Sequence, residues 1–170
     1  MKMDKGLDTG AILSQVEIPI ADDINAGELF DQLAELGANL LVETLPGYLT
    51  GDIAPQPQDE TLATYAPRLK KADGKLDFSQ SAAFLACQVR AYHPWPGSFQ
   101  FYNGTRLIVN AAHAEESVGA KPGQRLTFNG KPAWGTGKGL LVLDTVQAAG
   151  KNQMTGEDFL LGAKDCKEQE

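Results

Sequence analysis

Asp8, in Lys5-Gly6-Leu7-Asp8-Thr9-Gly10, is the first residue set for chemistry. Its flanking glycines allow a tight loop that can hold a carboxylate at a fixed angle, although an Asp between glycines is also an ordinary turn residue. Neither histidine adds to it. His93 stands directly before Pro94-Trp95-Pro96, where packing or hydrogen bonding at a helix end suits it, and His113 reads as a surface residue after a strand. Gly135-Thr136-Gly137-Lys138-Gly139 has closely spaced glycines but falls between short apolar runs instead of opening a helix, so it is read as a hairpin turn and not a phosphate loop. Cys87 and Cys166 are far apart with no second Cys or His at ligand spacing. No disulfide or metal site is expected, and both are read as structural or incidental thiols.

The elements that must position these residues follow from periodicity. Ile12, Leu13, Val16, Ile18 and Ile20 predict a half-buried strand over 11–20. Asp23 or Asn25 then caps a helix running to about Tyr48, with Leu29, Leu33, Leu36 and Leu40 on one stripe, Phe30 and Leu41 widening it, and Pro46-Gly47 disturbing its end. One strand and one helix cannot bury their faces on each other, so the segment reads as a remnant of an α/β layer. Residues 51–75, with Pro55, Pro57, Pro67 and the charged 68–71, read as a linker crossing a surface. A short amphipathic helix begins at Ser79 and carries Ala82, Leu85, Ala86 and Val89 on one face, stopped by Pro94 and Pro96. Short β-like runs follow at 98–102, 106–112, 125–128, 131–134 and 139–145, with Asn103-Gly104 and Asn129-Gly130 as hairpin signals. Strands of this length and spacing predict a small closed or nearly closed barrel. A last helical turn or two over 155–162 takes Thr155 as cap and packs Phe159 and Leu160. The fold class is therefore α+β: an OB-like barrel over 76–170, a linker over 51–75, and the strand-helix remnant over 1–50.

The 170 residues carry a net charge of −7, with 42% hydrophobic and 22% charged residues. No run approaches the roughly 20 apolar residues of a membrane span, and the amino terminus lacks the apolar stretch of a secretory signal. A cytoplasmic location is the expectation. The charge is divided unevenly: residues 1–60 hold two Lys against twelve acids, whereas residues 61–170 hold thirteen Lys or Arg against ten. A mildly basic domain behind an acidic one is compatible with a nucleic-acid partner and equally with ordinary solvated charge.

The stretch Met3-Asp4-Lys5-Gly6-Leu7-Asp8-Thr9-Gly10-Ala11-Ile12-Leu13 resembles a signature of the folate-dependent formyltransferases. Further segments agree in order: 58–61 through Tyr65-Ala66, 69–78 ending Gly74-Lys75-Leu76-Asp77-Phe78, and Arg90-Ala91-Tyr92-His93-Pro94-Trp95-Pro96-Gly97. A fifth, Ala148-Ala149-Gly150-Lys151 to Met154 and on to Phe159-Leu160, resembles the end of the methionyl-tRNA branch, as do the linker and the Pro-Trp-Pro-Gly turn. The resemblance covers essentially the whole chain and places it in the C-terminal half of that branch.

It implies transfer of formyl from 10-formyltetrahydrofolate to the amino group of methionyl initiator tRNA, with Asp8 as the catalytic carboxylate of the intact enzyme. The Asn and His that complete the family's polar set belong to an Asn-x-His-x-Ser-Leu-Leu-Pro-like stretch that these residues do not contain. A lone carboxylate cannot stabilise a developing oxyanion, so the chain by itself is expected to be inactive, with no folate bound. The resemblance also implies an OB-like domain that holds tRNA by its backbone. Lys70, Lys71, Lys75, Arg90, Arg106, Lys138 and Lys151 are the candidate phosphate contacts. Trp95 and Trp134 suit core packing better than base stacking. The other expected partners are the missing N-terminal half of the enzyme and, through the uncovered stripe of the first helix, a second copy of the chain. Two rival readings stay in view: a stand-alone OB-like RNA-binding module, and half of a related formyl-folate enzyme acting on a sugar nucleotide or on water.

Overall fold

The computed structural model describes residues 1–117 and 119–163, with the backbone of 167–168. Cys166 and most of the acidic tail lie outside the described residues. The chain divides into two compact units, Met1–Arg68 and Leu69–Glu170.

In the first unit the long helix α1, Ala26–Thr50, is set by its ends. Asn25 accepts from the Glu28 backbone N–H while the Glu28 carboxylate accepts from the Asn25 N–H, so two otherwise orphaned donors are satisfied. Gly51 closes the helix in a left-handed conformation with φ of 87°. Pro46 lies inside the last turns without ending them, and the Thr50 hydroxyl donates to the carbonyls of Pro46 and Gly47. The strand expected over 11–20 is not formed. Ile12 alone pairs, with Gln56, and the following residues have no ladder partner. A strand exists only through hydrogen bonds to a neighbour, which apolar alternation cannot supply. The stripe of α1 is correspondingly thinly covered: Leu33 is 47% exposed, and Thr44 is the helix's single fully buried residue.

The second unit holds the core. Helix α2, Ala82–Ala91, is capped by Ser81, whose hydroxyl accepts from the Phe84 N–H; the start expected at Ser79 falls two residues later because Ser79 is held in a turn by the Asp77 carboxylate. The strands are β1 (Ser98–Tyr102), β2 (Thr105–Glu115), β3 (Arg125–Phe128), β4 (Lys131–Gly135), β5 (Leu140–Ala148), β6 (Met154–Thr155) and β7 (Lys167–Glu168). Helix α3, Gly156–Gly162, starts at the expected Thr155 cap and buries Phe159. Asn103-Gly104 and Asn129-Gly130 make two-residue turns between β1 and β2 and between β3 and β4, with all four residues at positive φ.

Strand order is β1-β2-β5-β4-β3-β7, antiparallel except for the β3–β7 pair, with β6 attached to β5. The sheet does not close: its path ends at β1 and β7, which do not pair, so the expected barrel closure is corrected to an open α+β sheet. Side chains alternate along β5 as far as Leu143, a ladder irregularity at Asp144 then shifts the phase, and the strand feeds two cores. Leu141, Leu143 and Val146 face α2 and α3 together with Leu85, Val89, Leu107, Val109, Trp134 and Phe159. Leu140 and Val142 meet Leu126 and Ala133 on the other side. Trp134 is 1% exposed, its ring stacked on Phe78 at 6.3 Å between centroids. Trp95 is instead 52% exposed and is not a core residue; held between prolines, its ring stays at the surface. The glycine-rich loop joins β4 to β5, and a Cβ at Gly135, Gly137 or Gly139 would collide with the carbonyls of Lys121, Ser79 or Glu115. Its glycines permit backbone packing.

Candidate nucleic-acid interface

In the first unit, Asp8 is an exposed residue at φ of 56°, the left-handed region that Asp enters more readily than most residues. Gln58 holds its loop, donating through Nε2 to the carbonyls of Asp8 and Gly10 at 2.7 Å each. The backbone at residue 8 is thereby fixed from a segment fifty residues along the chain, and the carboxylate is left facing solvent.

In the second unit, Lys70, Lys71 and Lys75 are exposed on a short 3-10 turn, Lys71–Gly74, which the Asp73 carboxylate caps at the Lys70 N–H. Lys75 bridges to Phe99 of β1, and the Arg106 guanidinium lies 3.8 Å from the centre of the Phe99 ring. Phe99 thus brings the lysine turn and Arg106 to one end of the sheet. Lys151 belongs to the same end, because it sits in the turn after Ala148 and Ala148 pairs with Leu107. Arg90, half-buried, is at the C-terminal end of α2 and donates to Cys87 Sγ at 3.3 Å. Cys87 is an exposed thiol.

Lys138 does not join them. It is exposed in the β4–β5 loop, bridged to Ser81 at the N-terminal start of α2, and it lines a cleft with Glu115 and Glu116. Since Glu115 pairs with Leu140 while Leu107 pairs with Ala148, the length of β2 separates Lys138 from Arg106, roughly 25 Å at the usual rise per residue. Lys70, Lys71, Lys75, Arg106 and Lys151 therefore fall at one end of the sheet, with Lys138 at the opposite end.

Several polar groups gave no signal in the sequence. Arg125 lies 4.5 Å from the centre of the Tyr102 ring and donates to Asn103 Oδ1 at 2.8 Å, which adds a cation near the β1–β2 turn. His113 is not a bare surface residue: its Nδ1 is 2.7 Å from Asp144 Oδ2, and Lys131 Nζ donates to the other carboxylate oxygen at 2.8 Å, with Glu157 at 3.6 Å from Lys131. Burial pushes the Asp144 carboxyl up, but the hydrogen bonds from His113 and Lys131 outweigh it and hold the group below the usual carboxylate range. Lys131 is raised, chiefly by its hydrogen bond to Asp144. Period-two strand patterning would have placed His113, Lys131 and Asp144 on one face had the register been known, and register is what sequence alone withholds. Among the described residues no group of His, Cys, Asp or Glu is placed to hold a metal ion, and no helix is long and apolar enough to cross a membrane.

Comparison with known proteins fits this architecture. Residues 68–164 match the family described as "Formyl transferase, C-terminal domain". The methionyl-tRNA formyltransferase of Streptococcus gordonii is 40% identical over 164 residues, covering 96% of this chain and 52% of that protein. The Roseiflexus enzyme of the same name is 39% identical over 166 residues, covering 96% of this chain and 51% of the relative. The chain thus spans about half the length of the curated relatives it matches. Among solved structures, HypX from Aquifex aeolicus superposes with a TM-score of 0.70 at 20% identity, over 98% of this chain and 31% of that one. An N-formyltransferase from Helicobacter canadensis superposes at 0.64 and 18% identity, over 86% of this chain and 53% of that one. These two likenesses establish the fold alone. The match across the second unit, with the identity across nearly all of the chain, settles the family: the chain belongs to the formyltransferase C-terminal domain family and corresponds to the C-terminal part of methionyl-tRNA formyltransferases.

Proposed function

We propose that the chain supplies two parts of a cytoplasmic methionyl-tRNA formyltransferase: the Asp8 loop of the catalytic region and an OB-like domain that grips the backbone of initiator tRNA. The observation that carries this reading is the 40% identity with a methionyl-tRNA formyltransferase across 96% of the chain. In this assignment residues 1–50 end the catalytic domain, 51–75 link it, and 76–170 form the tRNA-binding domain. The phosphate contacts are drawn from Lys70, Lys71, Lys75, Arg90, Arg106, Lys138 and Lys151, with about four of them engaged at once.

The co-substrate of the whole enzyme is 10-formyltetrahydrofolate. The residues present do not by themselves make a site for it. Asp8 is exposed, and an ionised carboxylate only accepts hydrogen bonds, so it cannot stabilise an oxyanion. What it can do is take and hold the proton released by an attacking amine, once oxyanion donors are supplied from elsewhere. The chain alone accordingly transfers no formyl.

Titration of initiator tRNA against salt tests the binding half of the proposal. With about four phosphates neutralised, the logarithm of affinity falls with the logarithm of salt at a slope of roughly −3 to −4. Replacing Lys70, Lys71 and Lys75 together by Glu flattens it. A salt-insensitive titration would remove tRNA binding from the account.

A further inference from the structure

A cleft of about 160 Å³ opens beside the start of β2, lined by His93, Gly97, Ser98, Arg106, Asn110 and Gln147 among others, all within the second unit. Two of its polar side chains are already committed. Gln147 donates through Nε2 to the Lys151 carbonyl at 2.9 Å, and the Ser98 hydroxyl donates to the Gln88 carbonyl at 3.4 Å. Two others are not: Arg106 Nε and Asn110 Nδ2 are buried and find no acceptor among the described residues. Buried donors are almost always paired, so two in one cleft need an explanation.

The backbone supplies a second observation. Asn110 falls at a register break in the β2–β5 ladder, between the Val109–Val146 and Ala111–Thr145 pairs. A bulge of this kind re-aims a side chain that regular alternation would place elsewhere. Arg106 is fixed as well, because its guanidinium rests 3.8 Å from the centre of the Phe99 ring. Among the described residues no carboxylate lines the cleft. A ligand that satisfies Arg106 and Asn110 must bring acceptors, must tolerate or prefer a cation, and must fit a space too small for a nucleoside.

We infer that this cleft is an oxyanion subsite that seats a phosphoryl group between Arg106 Nε–H and Asn110 Nδ2–H. Charge-assisted donation from a guanidinium and a side-chain amide to adjacent oxygens is the chemistry that phosphate takes. The group is supplied either by free phosphate or by an RNA phosphodiester, and the subsite stands on its own geometry whether or not the chain binds tRNA.

Nitrogen-15 NMR of the full chain reads it directly, following the Arg106 Nε–H and Asn110 side-chain amide signals as inorganic phosphate is added against a chloride control of equal ionic strength. Both signals are expected to move along one saturating curve with phosphate and not with chloride. Arg106→Lys removes the Nε donor while keeping charge, and Asn110→Leu removes the amide; each weakens phosphate binding by about tenfold or more, with the amide signals of β3 and β4, which do not line the cleft, unchanged as a check on folding. Should Arg106→Lys fail to fold, Asn110→Asp supplies the second variant, and its carboxylate abolishes binding. A short RNA without terminal phosphate separates the sources. If it moves the same two signals and phosphate displaces it, the ligand is an RNA backbone; if phosphate alone moves them, the ligand is free phosphate. Signals that stay still with both probes, that respond equally to chloride, or that saturate unchanged in the variants overturn the subsite.

Discussion

Asp144 makes the clearest single-residue case for how packing sets chemistry in this chain. Its carboxyl is lowered from 3.8 because His113 and Lys131 both bond to the charged form. A lowered folded value means that the stabilisation is fully present above the unfolded value and is lost as pH falls through the folded one. Lys131 is raised from 10.5, so its share is present below that value and lost as pH rises through the folded value. The pair therefore contributes between roughly pH 4 and 10. Asp144→Asn should lower thermal stability at neutral pH and flatten the acid limb of a melting-temperature profile from pH 7 to 2.5. A variant that keeps the wild-type acid limb would show that the cluster carries no stability. The sequence presented Asp8 through its flanking glycines, but it read His113 only as a surface residue and left Asp144 unmarked, since their meeting depends on β2–β5 register. Asn110 was equally silent, because a bulge depends on pairing and not on residue type.

At the scale of elements, the hairpins were legible and the first strand was not. Asn-Gly pairs adopt positive φ at both positions cheaply, so the turns at 103–104 and 129–130 announce themselves. Strand 11–20 had the right alternation, but only Ile12 found a partner, Gln56. The tryptophans divide in the same way. Trp134 sits at 1% exposure against Phe78 in the main core, whereas Trp95 is 52% exposed between two prolines. Trp134→Ala should cost about 3–5 kcal/mol in urea denaturation, and Trp95→Ala within about 0.5 kcal/mol. Equal costs would contradict the burial. Helix α1 leaves Phe30, Leu41, Val42 and Leu49 between 61% and 74% exposed, and none of the buried hydrophobic residues belongs to the first unit. Its backbone amides are expected to exchange faster than those of β2 and β5, and the chain to self-associate with rising concentration. A monodisperse monomer in sedimentation, with amides protected throughout 11–45, would count against this.

On the scale of the molecule, the two units differ in charge and in the core they hold. The second unit, Leu69–Glu170, contains every buried hydrophobic residue among the described residues and five of the seven basic candidates at one end of its sheet. The first carries Asp8 and most of the acids. Completion by the rest of a relative is therefore the decisive experiment. The first half of the Streptococcus gordonii enzyme, joined ahead of this chain at the point where the two sequences begin to match, should form formyl-methionyl-tRNA from 10-formyltetrahydrofolate. Asp8→Asn in that chimera should lower the rate by about 10²- to 10⁴-fold, and the chain alone should give none. Formyl transfer by the unaccompanied chain, or a folded chimera that ignores methionyl-tRNA and formylates an amino sugar nucleotide, would contradict the account.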